Sequence, residues 1–360
     1  MLTINYENHY NTAMRGPSEN SRQIRDFLLR SIAEGAEDLV ARTGARFQLS
    51  RQAIHRHLRA LQAADLVDAS GKTRGRRYAL AVLERKSAAS PLAGLEEHRL
   101  WQDTVAPWFS DLPEPARRIW AYGFSEMVNN AVDHSEGRQL DVWMEKDAVA
   151  VRMGIVDDGV GIFSKIQRAL SLGDERQAVL ELAKGKLTTD PARHTGEGIF
   201  FASRAFDEFT ILSGGTAYLS EFAKPEDWVM ERKQPEAGTV VLLKLYSDTR
   251  RSLPELFDAF RGRDGDFGFK RTVVPVRLLQ YGEEQLVSRS QARRLLARFE
   301  RFDVVALDFA GIEMIGQAFA DEIFRVFARA HPDTSLEVAN ESPEVHKSIQ
   351  RVLAGAAEEN

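Results

Sequence analysis

Three short stretches carry the residue types that chemistry needs. In FSEMVNNAVDHS, residues 124–135, apolar and polar residues alternate on a helical period, which brings Glu126, Asn130 and Asp133 onto one face. A carboxylate one turn before a carboxamide, on a helix otherwise filled by Phe124, Met127, Val128, Ala131 and Val132, is costly to bury without a task. The task read here is handling a nucleotide, because two further signals follow. DDGVGIF, residues 157–163, places an acidic pair at a strand end before glycines where the backbone must turn sharply. HTGEGIFFA, residues 194–202, has glycines opening a helix whose free N–H groups can meet a phosphate.

In this order the three stretches resemble the GHKL ATPases, the superfamily of gyrase, the heat-shock chaperone ATPase, histidine kinases and the mismatch-repair ATPase, over roughly residues 95 to 246. The resemblance implies ATP and Mg²⁺ as ligands. It makes Glu126 the general base that polarises the water attacking the γ-phosphate. Asn130 becomes the Mg²⁺ ligand, through its amide oxygen. Asp133 is placed near the purine end of the same face, and Asn129 off that face. Asp157 accepts from the adenine amino group, with Gly159 and Gly161 letting the backbone pass close to the base. Gly196 and Gly198 set helix N–H groups against the phosphates, as in the histidine-kinase pattern GTGLGL, although Glu197 stands where that pattern has an apolar residue. Gly238-Thr239 resembles a fourth element, in which Thr239 supports Asp157 through a water. The polar stretch 164–193 reads as a lid over the nucleotide, in which Lys184, Lys186 and Arg193 either meet phosphate oxygens or, the favoured reading, are solvated lid charges.

Such residues need cores to hold them, and 360 residues of ordinary apolar content (43%) suffice for two or three. The absence of cysteine excludes disulfides and thiolate metal sites. No apolar run approaches a membrane span and the first ten residues lack the order of a signal peptide, so a soluble cytoplasmic protein without a membrane partner is expected. The net charge of −5 is unevenly placed: residues 1–86 carry 15 Lys/Arg against 9 Asp/Glu, leaving −11 for the remainder. A basic head on an acidic body suggests an anionic partner for the head.

Residues 1–20 lack apolar periodicity and read as a flexible arm. From Ser21 to residue 86 the pattern is two helices, the first capped by Ser21 and the second over 36–43, then a third capped by Ser50 and running through Ile54, Leu58 and Leu61. That third helix exposes Arg51, Gln52, His55, Arg56 and Arg59, and a β-prone hairpin follows with Lys72, Arg74, Arg76 and Arg77. Helix-turn-helix and hairpin together look like a winged helix-turn-helix, whose partner is double-stranded DNA.

Residues 84–94, polar, small and Pro-containing, read as a linker. His98 in EEHRLW only superficially resembles the phosphorylated histidine of sensor kinases, and a surface role is expected. After the glycine-rich connector GRDGDFGF, residues 262–269, strands at 272–279, 304–309 and 335–338 alternate with helices at 290–302, 315–330 and from Pro343, which implies a small α/β sandwich. The run VVALDFAGIEMIGQAFADEIF, residues 304–324, resembles the STAS domains of anti-sigma-factor antagonists. Gly316, Gln317 and Ala318 hold the place of the family's phosphorylated serine, so a module for protein contact or self-association is expected, with Asp321 and Glu322 solvated.

The fold class is therefore multidomain: a winged helix-turn-helix (21–86), an α/β GHKL (Bergerat) ATP-binding sandwich (95–250) and a small α/β STAS-like domain (270–355). The expected function is a DNA-binding transcriptional regulator switched by binding and hydrolysis of Mg-ATP. The alternatives are a protein kinase, anti-sigma-factor-like or histidine-kinase-like, acting on a separate partner, and a non-hydrolysing ATP sensor.

Overall fold

A computed structural model describes residues 18–72, 76–187, 196–224, 227–262, 268–280 and 284–358. The expected arm, apart from its last three residues, and most of the connector after residue 262 lie outside them. The described residues divide into two compact units: one up to Ser87 with Trp143–Met153 and Tyr246–Asp248, the other made of Ala88–Val142, Gly154–Leu245 and everything from Thr249.

The first unit opens with helices α1 (Glu19–Ala33), α2 (Leu39–Phe47) and α3 (Arg51–Ala63). Ser18 rather than Ser21 caps α1, its hydroxyl accepting from the Ser21 N–H at 3.4 Å. Ser50 caps α3 through the Ala53 N–H at 3.3 Å. The second helix lies a few residues later than the sequence suggests, because Gly35, at φ +68°, makes a left-handed turn before it. The apolar stripes of the three helices meet in one core, Ile24, Leu28, Leu39, Ile54, Leu58 and Leu61 among them, joined by Val67. Strands β1 (Val67–Ser70) and β2 (Arg77–Leu80) pair antiparallel beside it.

The main sheet has five strands, β3 (Glu84–Pro91), β4 (Gln139–Lys146), β5 (Ala150–Asp157), β6 (Glu208–Glu221) and β7 (Trp228–Tyr246), in the order β3-β4-β5-β7-β6. The linker expected at 84–94 is corrected here, since most of it is strand β3. Its residues alternate half-buried and exposed, so the polar composition belongs to the open face of an edge strand. The helices that position the site beside this sheet are α4 (Glu114–His134), α5 (Ile162–Ala169), α6 (Glu175–Lys184) and α7 (Gly198–Ala205). The long helix α4 buries Ile119, Trp120, Phe124, Met127, Val128 and Ala131. At Gly123 it touches Phe206, where an added Cβ would sit 2.3 Å from the ring.

The C-terminal region is a parallel three-stranded sheet, β8 (Arg271–Pro275), β9 (Val304–Asp308) and β10 (Ser335–Ala339), with β9 central and buried along its whole length. Helix α8 (Arg289–Leu296) starts from a capping box formed by Ser288 and Gln291. A helical run from Gln317 to Ala330, which widens to a π-helix over Glu322–Phe327, and α9 (Pro343–Glu358) complete it. No described helix is long and apolar enough to cross a membrane.

Candidate functional site

A cavity of about 330 Å³ opens in the second unit, within the rough 300–1,000 Å³ range of ligand sites. Helix α4 contributes Glu126, Asn129, Asn130 and His134, and Ser135 follows at its C-cap. Asp157 comes from the end of β5, Lys165 from α5, Leu182 and Leu187 from the chain around the end of α6, Gly196 and Gly198 from the start of α7, and Thr239 from β7. Residues up to 115 positions apart in sequence, Glu126 to Val241, thus border one space.

One part of the wall is a braced carboxylate. Asp157 Oδ1 accepts from the backbone N–H groups of Gly159 at 2.9 Å and Thr239 at 3.3 Å. Burial raises the Asp157 pKa, and those donors oppose the rise. Thr239 Oγ1 in turn accepts from the Ile162 N–H at 3.0 Å, so Asp157 and Thr239 are joined directly within the protein. Gly238, at φ +81°, brings β7 so close to β5 that an added Cβ would lie 1.9 Å from the Asp157 carbonyl oxygen. The second acid, Asp158, works differently. It is exposed, and N–H groups of Gln139 at 2.9 Å and Arg138 at 2.6 Å hold its pKa down, tying the turn to the start of β4.

Another part is the contact between Glu126 and α7. A Cβ placed on Gly198 would fall 1.9 Å from Glu126 Oε2, so the carboxylate lies against the first turn of that helix. Gly196, at φ +71°, also passes close to the Leu187 backbone, where an added Cβ would fall 2.4 Å from its carbonyl, and the Leu187 N–H donates to the Gly196 carbonyl at 3.1 Å. His194 and Arg193 lie outside the described residues. Glu197 is half-buried and absent from the cavity lining. Burial raises its pKa, and Lys186 opposes that rise.

The structure redistributes several expected roles. Asp133 is exposed, its side chain turned to solvent, and does not line the cavity, which the next two residues, His134 and Ser135, border instead. Asn129, expected off the face, lines it beside Asn130, since a broad cavity spans more than one residue of a helix turn. Gly159 and Gly161 let the chain pass other parts of the protein. An added Cβ on Gly159 would meet the Ser135 carbonyl oxygen at 2.1 Å, and one on Gly161 would meet Ser213 Oγ at 2.6 Å. Residues 164–187, expected as a polar lid, are packed helices: α6 buries Val179, Leu180 and Leu182. Lys184, expected in solvent, is fully buried against Glu181. Arg193 cannot be placed among the described residues.

Two neighbours of the site had little sequence signal. Lys165 Nζ donates to the His134 carbonyl at 2.7 Å and to Glu136 at 3.0 Å while lining the cavity. Tyr122, one turn before Glu126, has its pKa raised by burial and then by the charges of Glu126 and Glu197, which places its hydroxyl in their field. Its helical spacing was the available clue. Asn129 and Asn130 line the cavity with Glu126, and a carboxamide oxygen is a ligand type that suits a hard cation such as Mg²⁺. Among the described residues no group of three or more His, Cys, Asp or Glu is placed to hold a metal.

Comparison with known families places one region. The model of the STAS-like domain of unknown function (DUF4325) matches residues 291–346. No curated protein matches the chain. Within the STAS-like domain the expectation that Asp321 and Glu322 are solvated is corrected by the arginines that face them. Asp321 accepts from Arg325 at 2.6 Å, which lowers its pKa, and Glu322 is buried and accepts from Arg293 at 2.7 Å. Gly316 opens the helix with its Cα against Val287.

In the first unit, Arg51, Gln52 and Arg56 of α3 are exposed, as are Arg76 and Arg77 at the start of β2, while Arg74 lies outside the described residues. His55 is half-buried, and its pKa is lowered by burial and then by Arg51, Arg59 and Arg76. Cations from the helix and the hairpin therefore share one patch.

Proposed function

We propose that this chain is an ATP-dependent, DNA-binding regulator whose middle region is a GHKL-type nucleotide domain. The observation that carries the reading is the single cavity in which a buried, braced Asp157 and the pair Glu126 and Asn130 meet a glycine turn at a helix start. On this reading Asp157 accepts the adenine amino hydrogen, a charge-assisted bond worth on the order of 1.5–3 kcal/mol. The first N–H groups of α7 face the phosphates. Glu126 takes the proton of the attacking water, and Asn130 holds Mg²⁺, which supplies charge neutralisation at the phosphates when bound. The basic patch on α3 and β2 supports a winged helix for duplex DNA, and the STAS-like domain supports a protein partner or self-association.

A second reading, a protein kinase acting on a separate partner, is favoured by the STAS-like domain on the same chain. Incubation with γ-labelled ATP separates the two. Free phosphate supports the ATPase, transferred label the kinase, and binding without either a passive sensor. Glu126→Ala should bind ATP yet lose roughly a hundredfold or more in phosphate release, whereas Asn130→Ala should weaken Mg²⁺-dependent binding itself. Full turnover by Glu126→Ala would refute the assignment.

A further inference from the structure

We infer that Arg298 of the STAS-like domain is a positioning residue for the nucleotide site, and that through it this domain regulates ATP binding in cis. The inference rests on the nucleotide reading of the cavity. Its physical basis is the attachment of both segments that flank the Gly196–Gly198 turn.

The first segment runs from Glu181 through Leu187 and gives the cavity Leu182 and Leu187. Arg298 Nη1 donates to Glu181 Oε2 at 2.8 Å. Its Nη2 donates to the carbonyls of Gly185 at 3.1 Å and Lys186 at 2.6 Å. Lys184 Nζ, in return, donates to Glu181 at 2.6 Å and to the carbonyls of Ala297 at 2.9 Å and Arg294 at 3.2 Å. Thr272 Oγ1, fully buried in β8, donates to the Lys184 carbonyl at 2.7 Å. Four residues of the segment are thus fixed by the C-terminal domain just before Leu187, whose N–H bonds to Gly196.

The second segment is α7, whose first residue lies against Glu126. Arg204 of that helix donates to the Val273 carbonyl at 3.2 Å. Phe200 packs against Phe269 with ring centres 4.5 Å apart and planes tilted by 42°, and Gly185 lies in contact with both rings. Phe269 in turn meets Phe302 at 5.4 Å.

Arg298 itself is held at φ +68°, a left-handed conformation that a non-glycine residue adopts at a cost, and its side chain is only 13% exposed. A guanidinium that satisfies one carboxylate and the carbonyls of Gly185, Lys186 and, at 3.5 Å, Glu181 from such a backbone fixes the chain geometrically, and an ammonium cannot reproduce that fork. Anything that moves Arg298 must move the Gly185–Lys186 carbonyls it holds and, with them, Leu187 in the cavity wall. By linkage, if the conformational equilibrium of the STAS-like domain changes ATP affinity by a given factor, ATP shifts that equilibrium by the same factor.

The test uses the full chain. Wild type, Arg298→Ala and Arg298→Lys are titrated with Mg-ATP by calorimetry, and amide exchange over residues 289–302 is followed with and without saturating ATP. The expected result is a rise of about tenfold in the ATP Kd for both variants, within the usual range of coupling. ATP should slow exchange over 289–302 in wild type and leave it unchanged in Arg298→Ala at saturation, a response that a purely structural arginine would not control. Equal Kd values in wild type and Arg298→Ala, or retained ATP protection in the variant, overturn the inference while leaving the nucleotide site standing. A wild type that binds no ATP removes the nucleotide reading and this inference with it. Should Arg298→Ala fail to fold, Thr272→Val replaces it: a weaker loss of ATP affinity, about threefold, with reduced protection supports the inference, and an unchanged Kd with unchanged protection overturns it.

Discussion

Gly198→Ala is the substitution that best separates stability from chemistry. The added Cβ would lie 1.9 Å from Glu126 Oε2, 2.7 Å from its Cδ and 3.2 Å from its Cγ. Carbon and oxygen do not sustain contacts below about 3 Å, so the carboxylate must retreat by roughly 1 Å. Gly198 is the first residue of a helix and is not held at positive φ, so alanine fits the backbone. Its helix propensity exceeds that of glycine by about 1 kcal/mol, which offsets the roughly 0.5–1.5 kcal/mol of turning Glu126 away from a staggered rotamer. The melting temperature should stay within about 4 °C of wild type. If Glu126 is the base, misplacing it by this amount should cost roughly a hundredfold in phosphate release, with ATP still bound. The assay is a thermal melt beside calorimetric ATP binding and γ-phosphate release. A folded Gly198→Ala protein that releases phosphate at the wild-type rate refutes the assignment of Glu126. Gly159 shows why the obstacle matters: there an added Cβ meets the Ser135 backbone at 2.1 Å, and no side chain can yield.

Two further outcomes follow from the charges. With Arg76 and Arg77 both replaced by alanine, the full chain should bind every duplex more weakly, and the slope of log K against log salt should fall by about one for each lost phosphate contact; an unchanged slope refutes contact by these arginines. Burial pulls the Lys184 ammonium down to about 8 from its usual 10.5, with Glu181 only partly opposing the shift. The unfolded chain therefore holds this proton between pH 8 and 10.5 where the folded chain does not, so the cost of the buried charge is fully present below pH 8 and is relieved as pH rises. The melting temperature of wild type relative to Lys184→Met should rise across that interval, and a constant difference would contradict the burial.

Local pattern made the C-terminal strands and helices legible, because alternation of apolar runs with capped amphipathic segments is written within each element. The strand expected at 304–309 is β9, and Ser342-Pro343 does open the last helix. The same reading made Glu126, Asn130, Asp157, Gly196 and Gly198 candidates, the family resemblance added Thr239, and the structure sets all six around one cavity. Composition failed where a distant partner decides the outcome. Residues 84–91 are polar because one face of an edge strand is open, which a linker also looks like.

Buried charge is the sharper case. Lys184 lies in LAKGK, a sequence that would be solvated in isolation, and Glu322 lies among acids that look like a helix surface. Lys184 is buried because Glu181 supplies its counter-charge and carbonyls more than a hundred residues away accept its remaining hydrogens. An unpaired ammonium could not occupy that place, so the charge partners and the C-terminal domain must arrive together. Removing Glu181 alone would leave Lys184 and Arg298 side by side without a carboxylate between them, which is more destabilising than removing the cluster as a unit. The position of Lys184 in the interior is therefore a property of the assembled second unit, and no window of sequence around it contains that information.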